Sequence, residues 1–332
     1  MQHIQLTNNA FEGRNSVYLV GSDDDGPTTL VDTGVATGPV REELESALEG
    51  HGVAFADVDQ VLLTHWHHDH AGLAGEIQAA SGATIYVHEA DAPIVEGDEA
   101  TLDALNERQE RYFEQWGMPD DERAELVTFL DHHEGLRGVP ADVTRVTDGD
   151  VVDVGDHSMS VVHLPGHAAG LVAYVFEREG RTEGFVGDAI LPKYTPNVGG
   201  ADVRVDAPLA RYLDSLDRIV DLDLDRAWPG HRGPIFAPTE RARDIARHHE
   251  YRTERVVDVV RNAGPLTTWE VSDALFGDLE NIHILHGPGE ADAHLTHLVD
   301  AGILSEEDGR YEMADETLSS TEVVERANLA SR

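Results

Sequence analysis

The feature that most constrains this chain is a run of ligand-type side chains, Thr64-His65-Trp66-His67-His68-Asp69-His70, set directly after the apolar segment Val58 to Leu63. His65, His67, Asp69 and His70 fall within a single short stretch. On a strand-to-helix turn such side chains can point into one cavity from a short rigid loop, and that turn sits where a site on an α/β sheet belongs, outside the carboxyl end of a strand. Imidazole nitrogens and carboxylate oxygens suit zinc, manganese or iron, and a second ion can share the turn. The competing reading is a polar loop with surface histidines; the ordered spacing after a buried strand argues against it.

The surrounding sequence supplies the sheet. Val17 to Val20 and Thr28 to Val31 read as strands joined by the turn-rich Gly21-Ser22-Asp23-Asp24-Asp25-Gly26-Pro27, and they end in Asp32-Thr33-Gly34. Helix Pro39 to Leu48, strand Val58 to Leu63 and helix Ala71 to Ala80 continue an alternation that defines an α/β layered fold. Residues 90–138 interrupt it with two charged helical stretches, Thr101 to Trp116 and Asp121 to Glu134, an insertion that is either a lid or a solvated excursion. Strands resume at Val143 to Val146, Val151 to Val154, Ser158 to Leu164, Leu171 to Phe176 and Thr182 to Val186. Helix Pro208 to Val220 and strand Arg226 to Trp228 close a main body spanning residues 1–237. A connecting helix over 238–263 leads into helices Thr267 to Leu275 and Ala291 to Ala301 and a hairpin over Ile303 to Met313 with Asp308-Gly309 at its turn. Helix, helix, helix, hairpin is the order of a winged-helix module, placed at 264–315, and 316–332 is expected to be a frayed tail.

Composition narrows the chemistry. With 64 acidic residues against 24 basic ones, the formal net charge is -40, which argues against a polyanionic partner. A carboxylate-crowded, lysine-poor surface is also how halophilic proteins stay hydrated, and that explanation is the one adopted. The absence of cysteine excludes disulfides, a thiol nucleophile and thiolate-ligated metals. The longest clean apolar run, Leu171 to Phe176, is far short of a membrane span, and the first residues lack a signal-peptide pattern, so a soluble cytoplasmic protein is expected.

Three isolated residues extend the motif: His167 after Leu164-Pro165-Gly166, Asp188 after Phe185-Val186-Gly187, and His231 after Trp228-Pro229-Gly230. Each alone is an ordinary turn or cap residue. In this order, at strand ends, with H-x-H-x-D-H ahead of them, the chain resembles the metallo-β-lactamase superfamily over roughly residues 1 to 235. The resemblance implies an αββα sandwich with a helical insertion and the C-terminal module appended. It assigns His65, His67 and His167 to one metal, Asp69, His70 and His231 to a second, and Asp188 as the bridge, with Asp32 structural. Two zinc ions are implied, iron or manganese being alternatives, with a bridging hydroxide as nucleophile that Asp69 helps to orient. His68 sits at a variable motif position, and His132-His133 and His248-His249 are expected to face solvent.

Without cysteine, the Asp69-His70 pair matches glyoxalase II-like thioesterases, lactonases and nuclease branches rather than thiolate-type β-lactamases. A small-molecule ester or thioester is the favoured substrate. Lys193, the only lysine, and Tyr194 follow the bridging Asp188 closely and are candidate catalytic groups, Lys193 to stabilise developing charge and Tyr194 to donate its phenol. A chance survivor is the alternative for Lys193. The helix after His231 carries Arg241, Arg243, Arg247, Arg252, Arg255 and Arg261, which either grip an anionic substrate group or pair with acidic neighbours along the helix. The resemblance also leaves open an endoribonuclease of the winged-helix-tailed group and a mononuclear-iron persulfide dioxygenase using His65, His167 and Asp188. Residues 264–313 hold eleven acidic residues and only Arg310 as a base, so the module reads as a packing or dimerisation element rather than a nucleic-acid face.

Overall fold

The structure of this chain is a computed structural model that describes residues 1–7, 13–21 and 26–327. Six strands, β1 (Gln2–Leu6), β2 (Asn15–Val20), β3 (Thr29–Val31), β4 (Gln60–Leu62), β5 (Thr84–His88) and β6 (Val143–Val146), lie side by side in chain order. β1 to β3 are antiparallel and β3 to β6 parallel. The second sheet is an antiparallel meander of β7 (Val151–Val154), β8 (His157–His163), β9 (Val172–Arg178) and β10 (Arg181–Gly187), with β11 (Arg226–Pro229) added parallel to β10. Tyr18, Val31 and Leu62 from the first sheet meet Met159, Tyr174 and Phe185 from the second in a closed core.

The outer faces are covered by helices: α1 (Gly38–Glu49), α2 (His68–Ala71), α3 (Ala74–Ser81), α4 (Ala92–Val95), α5 (Glu99–Trp116), α6 (Asp120–His133), α7 (Pro208–Asp221) and α8 (Pro238–Ala263). In α1 the Thr37 hydroxyl accepts from Val40 N–H, proline occupies the first turn, and Val40, Leu44 and Leu48 share the buried face. With Ile77 of α3 they pack on Leu19, Leu30, Val61 and Ile85. Leu216 and Ile219 of α7 and Ala242 and Ile245 of α8 cover Val162, Ala173 and Val186 on the other side. The layers therefore run α, β, β, α. Among the described residues no helix is long and apolar enough to cross a membrane.

After α8 come α9 (Thr268–Phe276), α10 (His283–Asp300), the hairpin β12 (Leu304–Glu307) and β13 (Arg310–Met313), and α11 (Ser320–Arg326). They close around Val257, Val260, Val271, Leu295, Ile303, Tyr311 and Val323. Four expectations change. α10 begins at His283 rather than Ala291, continuing through Gly287-Pro288-Gly289, a sequence that local rules treat as a break. The frayed tail instead contains α11, capped by Ser319 and buried through Val323 and Val324, while 328–332 lie outside the described residues. Strands β1 and β5 are additional to the expected set. The insertion packs firmly: Phe113, Trp116, Met118 and Leu126 share one core with Ile284 and Leu285 of α10, and Asn281 N–H donates to Glu125 at 3.2 Å. Of the expected turn between β2 and β3, residues 22–25 lie outside the described set.

Candidate metal centre

The site grows from the carboxyl ends of β3, β4, β10 and β11 and from the loop between β8 and β9. Asp32, at the end of β3, is the organiser of the motif turn. Its Oδ1 accepts Thr64 N–H at 2.8 Å, its Oδ2 accepts the Thr64 hydroxyl at 2.8 Å, and the same oxygen faces His70 Nδ1 at 2.9 Å. Thr33 completes the clasp, its hydroxyl and backbone N–H both donating to the His70 carbonyl. This matches the structural role expected of Asp32.

The seven residues singled out in the sequence converge. His65 Nε2 lies 3.0 Å from His67 Nδ1, which lies 3.1 Å from His167 Nε2. His231 Nε2 is 3.5 Å from Asp69 Oδ2 and 3.3 Å from Asp188 Oδ2. His70 Nε2 lies 3.8 Å from Asp69 Oδ2 and 3.6 Å from Asp188 Oδ1. Asp188 also reaches His167 Nε2, at 3.7 Å from Oδ2. His65, His67 and His167 thus form one compact group and Asp69, His70 and His231 another, and Asp188 joins His65 and His70 in a third. Gly230 permits the approach of the last loop, since a Cβ there would stand 2.4 Å from Asp188 Oδ1 and 2.5 Å from the His70 ring.

Hydrogen-bond partners fix what these atoms offer. His67 Nε2 faces the Ala201 carbonyl (3.2 Å), His167 Nδ1 the Asn197 carbonyl (2.9 Å), His231 Nδ1 the Gly13 carbonyl (3.0 Å) and His70 Nδ1 the Asp32 carboxylate. An oxygen that only accepts requires N–H opposite it, which in a neutral ring leaves the other nitrogen with a bare lone pair. The Thr64 hydroxyl gives its hydrogen to Asp32, so it accepts from His65 Nδ1, and His65 Nε2 is bare as well. With the five rings neutral, as metal ligation requires, five lone pairs and two carboxylates face one another. His70 Nε2 and Asp188 Oδ1 are buried without any hydrogen-bond partner. Only cations satisfy such a set, and the observed separations bracket the ligand-to-ligand edge of about 3.3 Å that tetrahedral zinc bonds of about 2.0 to 2.1 Å imply. The residues present fit divalent metal ions.

Electrostatics carry the same signature. Burial, reinforced by neighbouring imidazoles, holds His65 well below the ordinary histidine pKa and lowers His67 to about 3. Burial also lowers His70, but Asp69, Asp188 and Asp32 outweigh it and lift its pKa to about 10, so its Nε2 holds a proton that metal binding must displace. For Asp188 burial is overcome by His231 and His70, which keep the carboxylate ionised.

Around the seven lies a set of residues that local sequence signals did not mark. Asn15 Nδ2 donates to Asp69 at both its backbone carbonyl (2.9 Å) and Oδ2 (3.0 Å). Asp91 Oδ2 accepts Trp66 N–H, Asp202 Oδ2 accepts Trp66 Nε1–H and Ala169 N–H, and Arg204 bonds both carboxylates. Lys193 and Tyr194 are exposed on the loop after Asp188. Lys193 Nζ and Arg232 Cζ lie 4.8 Å and 4.9 Å from the Tyr194 ring centroid, and Arg241 donates to the carbonyls of Leu191 (2.6 Å) and Tyr194 (2.7 Å).

Other expectations resolve differently. His249 is buried rather than solvent-facing, because it continues the Ile245, Thr253, Val256 seam of α8 and packs edge-on against Tyr212. The side chains of His132 and His133 lie outside those described. The α8 arginines divide their work: Arg247 and Arg261 pair with Asp244 and Asp258 one turn away, while Arg252 reaches Glu290 and Arg255 the Leu275 carbonyl.

Comparison with known proteins agrees with this geometry. The family model described as the Metallo-beta-lactamase superfamily matches residues 10–231. A probable metallo-hydrolase, YqjP, of Bacillus subtilis (strain 168) is 29% identical over 84% of this chain and 86% of its own length. The lactamase-like protein aptB of Emericella nidulans is 26% identical over 81% of this chain and 70% of its own length. Among solved structures, a metallo-beta-lactamase family protein of Thermus thermophilus superposes with a TM-score of 0.80 at 31% identity, covering 94% of this chain and 98% of that one. That family implies divalent metal ions. Motif, fold and relatives converge on one assignment: the chain belongs to the metallo-beta-lactamase superfamily.

Proposed function

We propose that this chain is a binuclear metal-dependent hydrolase, with zinc as the expected metal, acting on a small-molecule ester or thioester. The observation that supports this reading is the pair of three-residue groups, His65 with His67 and His167 and Asp69 with His70 and His231, and a third group in which Asp188 meets one member of each, His65 and His70. His65, His67 and His167 would hold one ion, Asp69, His70 and His231 the other, and Asp188 would bridge them. Divalent ions there supply a water acidic enough to be ionised near neutral pH and polarise the substrate oxygen. Asp69, clasped by Asn15, would orient the attacking water and hold its proton. In this reading Lys193 and Tyr194, exposed on the loop after Asp188, would supply an ammonium and a phenol to stabilise charge on a leaving group. Arg241 fastens that loop to α8.

Two rivals are separated by what each leaves unused. A single iron on His65, His167 and Asp188 leaves the inward-facing Asp69, His70 and His231 without an ion to hold, and His70 Nε2 without a partner. An endoribonuclease built on a winged-helix module needs a phosphate-binding face, yet the only base over 264–313, Arg310, is paired with Glu270 at 3.0 Å. The test combines metal content with turnover on thioester, lactone, phosphodiester and RNA substrates at low and high salt, with oxygen uptake followed on a persulfide. Two metal ions per chain with ester or thioester hydrolysis is the expected result. One iron with oxygen consumption, or cleavage of RNA alone, overturns the proposal.

A further inference from the structure

The loop over 197–201 does two jobs. On its inner side it presents two carbonyls, Asn197 to His167 Nδ1 at 2.9 Å and Ala201 to His67 Nε2 at 3.2 Å, and these orient the two imidazoles. The loop holds that shape through the Asn197 side chain, whose Oδ1 accepts Gly200 N–H at 3.1 Å and Ala201 N–H at 2.8 Å. On its outer side the same side chain leaves the catalytic body: Asn197 Nδ2 donates to the His286 carbonyl of α10 at 3.1 Å.

The contact around that hydrogen bond is backbone against backbone. A Cβ on Gly289 would lie 2.2 Å from Gly200 Cα, and one on Gly200 would lie 2.7 Å from His286 Cα. Both positions demand glycine, because any side chain would force α10 and the loop apart. This gives Gly289 a purpose. Helix α10 tolerates glycine at 289 because it lets that turn lie directly on the loop, while Gly287 admits Leu279 and Ser272 on another side.

We propose that Asn197 is a positioning residue through which the C-terminal unit sets the orientation of His167 and His67, so that metal affinity depends on a helix that supplies no ligand. The proposal rests on the reading of the seven residues as metal ligands. Outer partners of ligating histidines typically govern metal affinity by about 10 to 100-fold, and here two such partners share one loop with one external anchor.

The test uses the full chain with zinc or cobalt(II), measuring dissociation constants by chelator competition and the cobalt ligand-field spectrum. Asn197→Ala removes both functions of the side chain. Asn197→Asp keeps the oxygen that caps the loop but sets a carboxylate against the His286 carbonyl, and Gly289→Ala presses on the same contact from α10. The expected result is metal binding weakened about 10 to 100-fold in all three, with an altered cobalt spectrum and retained far-UV circular dichroism. Glu307→Gln in the exposed hairpin serves as a variant that leaves both readouts unchanged. Wild-type affinity and spectrum in Asn197→Asp and Gly289→Ala would overturn the role of α10, even if Asn197→Ala binds weakly. If the wild-type chain itself fails to bind either ion, the reading of the seven ligands fails instead.

Discussion

Arg204→Met tests whether the motif turn depends on the ionic cluster behind it. The guanidinium bonds Asp202 through Nε at 2.9 Å and Nη2 at 2.6 Å, Asp91 through Nη2 at 2.7 Å and the Ala90 carbonyl through Nη1 at 2.7 Å, and it lies 5.3 Å from the Trp66 ring centroid. Both carboxylates are buried. Removing one partner of a buried ion pair costs about 3 to 5 kcal/mol, because the remaining charge is stranded. Here the loss has a pH dependence. Burial raises the Asp91 pKa to about 6 even with Arg204 in place, so near that pH the variant can discharge Asp91 by protonation. Without Arg204 the Asp91 pKa rises further, and the variant must carry a costlier charge or hold a proton as pH increases. The destabilisation should therefore grow by about 1.4 kcal/mol per pH unit above 6 until Asp91 ionises in the variant. Urea unfolding of metal-stripped protein at pH 6, 7 and 8, followed by tryptophan fluorescence, reads this directly. Metal affinity should fall in parallel, since Asp91 and Asp202 hold Trp66 between His65 and His67. Arg204→Lys should recover only part of the loss, an ammonium being unable to grip Asp202 with two nitrogens while reaching Asp91. A destabilisation below about 1 kcal/mol, far under the buried-pair cost, or one independent of pH, refutes the account.

Asp188→Ala should abolish hydrolysis and reduce bound metal, measured by turnover and elemental analysis; surviving turnover removes Asp188 from the proposed bridge. Lys193→Ala should lower turnover with metal content unchanged, and an unchanged rate on the best substrate of the panel returns Lys193 to a chance survivor. Asp91→Asn isolates one titration. A carboxyl whose folded pKa is raised from 3.8 to about 6 holds a proton that the unfolded chain has released, so rising pH through that window costs the wild type about 3 kcal/mol. The stability difference between wild type and Asp91→Asn should shift by about that amount between pH 3 and pH 8 in urea titrations, and a constant difference contradicts the shifted pKa.

What the sequence disclosed follows from how local each signal is. His65, His67, Asp69 and His70 share one turn, and His167, Asp188 and His231 each follow a glycine at a strand end, so their types and order were readable without coordinates. Asp91, Asp202 and Arg204 carry no such mark: Arg204 meets Asp91 across 113 residues and Trp66 meets Asp202 across 136. An aspartate on a polar loop looks the same in sequence whether it is solvated or clamped. The first turns of α10 were missed for a related reason. Gly287-Pro288-Gly289 is a break by propensity, and only the loop pressed against it shows why the helix continues. His249 could have been recovered from its register with Ile245, Thr253 and Val256, since four-residue and three-residue steps place it on the buried seam.

The division between arginine and lysine is the remaining clue, and the structure sharpens it. Arg204 spans two buried carboxylates, Arg178 and Arg226 flank the buried Glu183, and Arg252 holds Glu290 between α8 and α10. A planar, five-donor cation suits these positions, and an acidic surface gains nothing from additional ammonium groups. Lys193 differs in kind. Among the described residues it has no acidic partner, despite a chain with 64 of them, and its ammonium rests on the exposed Tyr194 ring opposite Arg232. Under the proposed function, a flexible point charge left unneutralised on the loop after Asp188 would attract what the rest of the surface repels, a small anionic substrate or a leaving group gaining charge. That is why the Lys193→Ala measurement bears on the substrate, while Arg204→Met bears on the frame that holds the site.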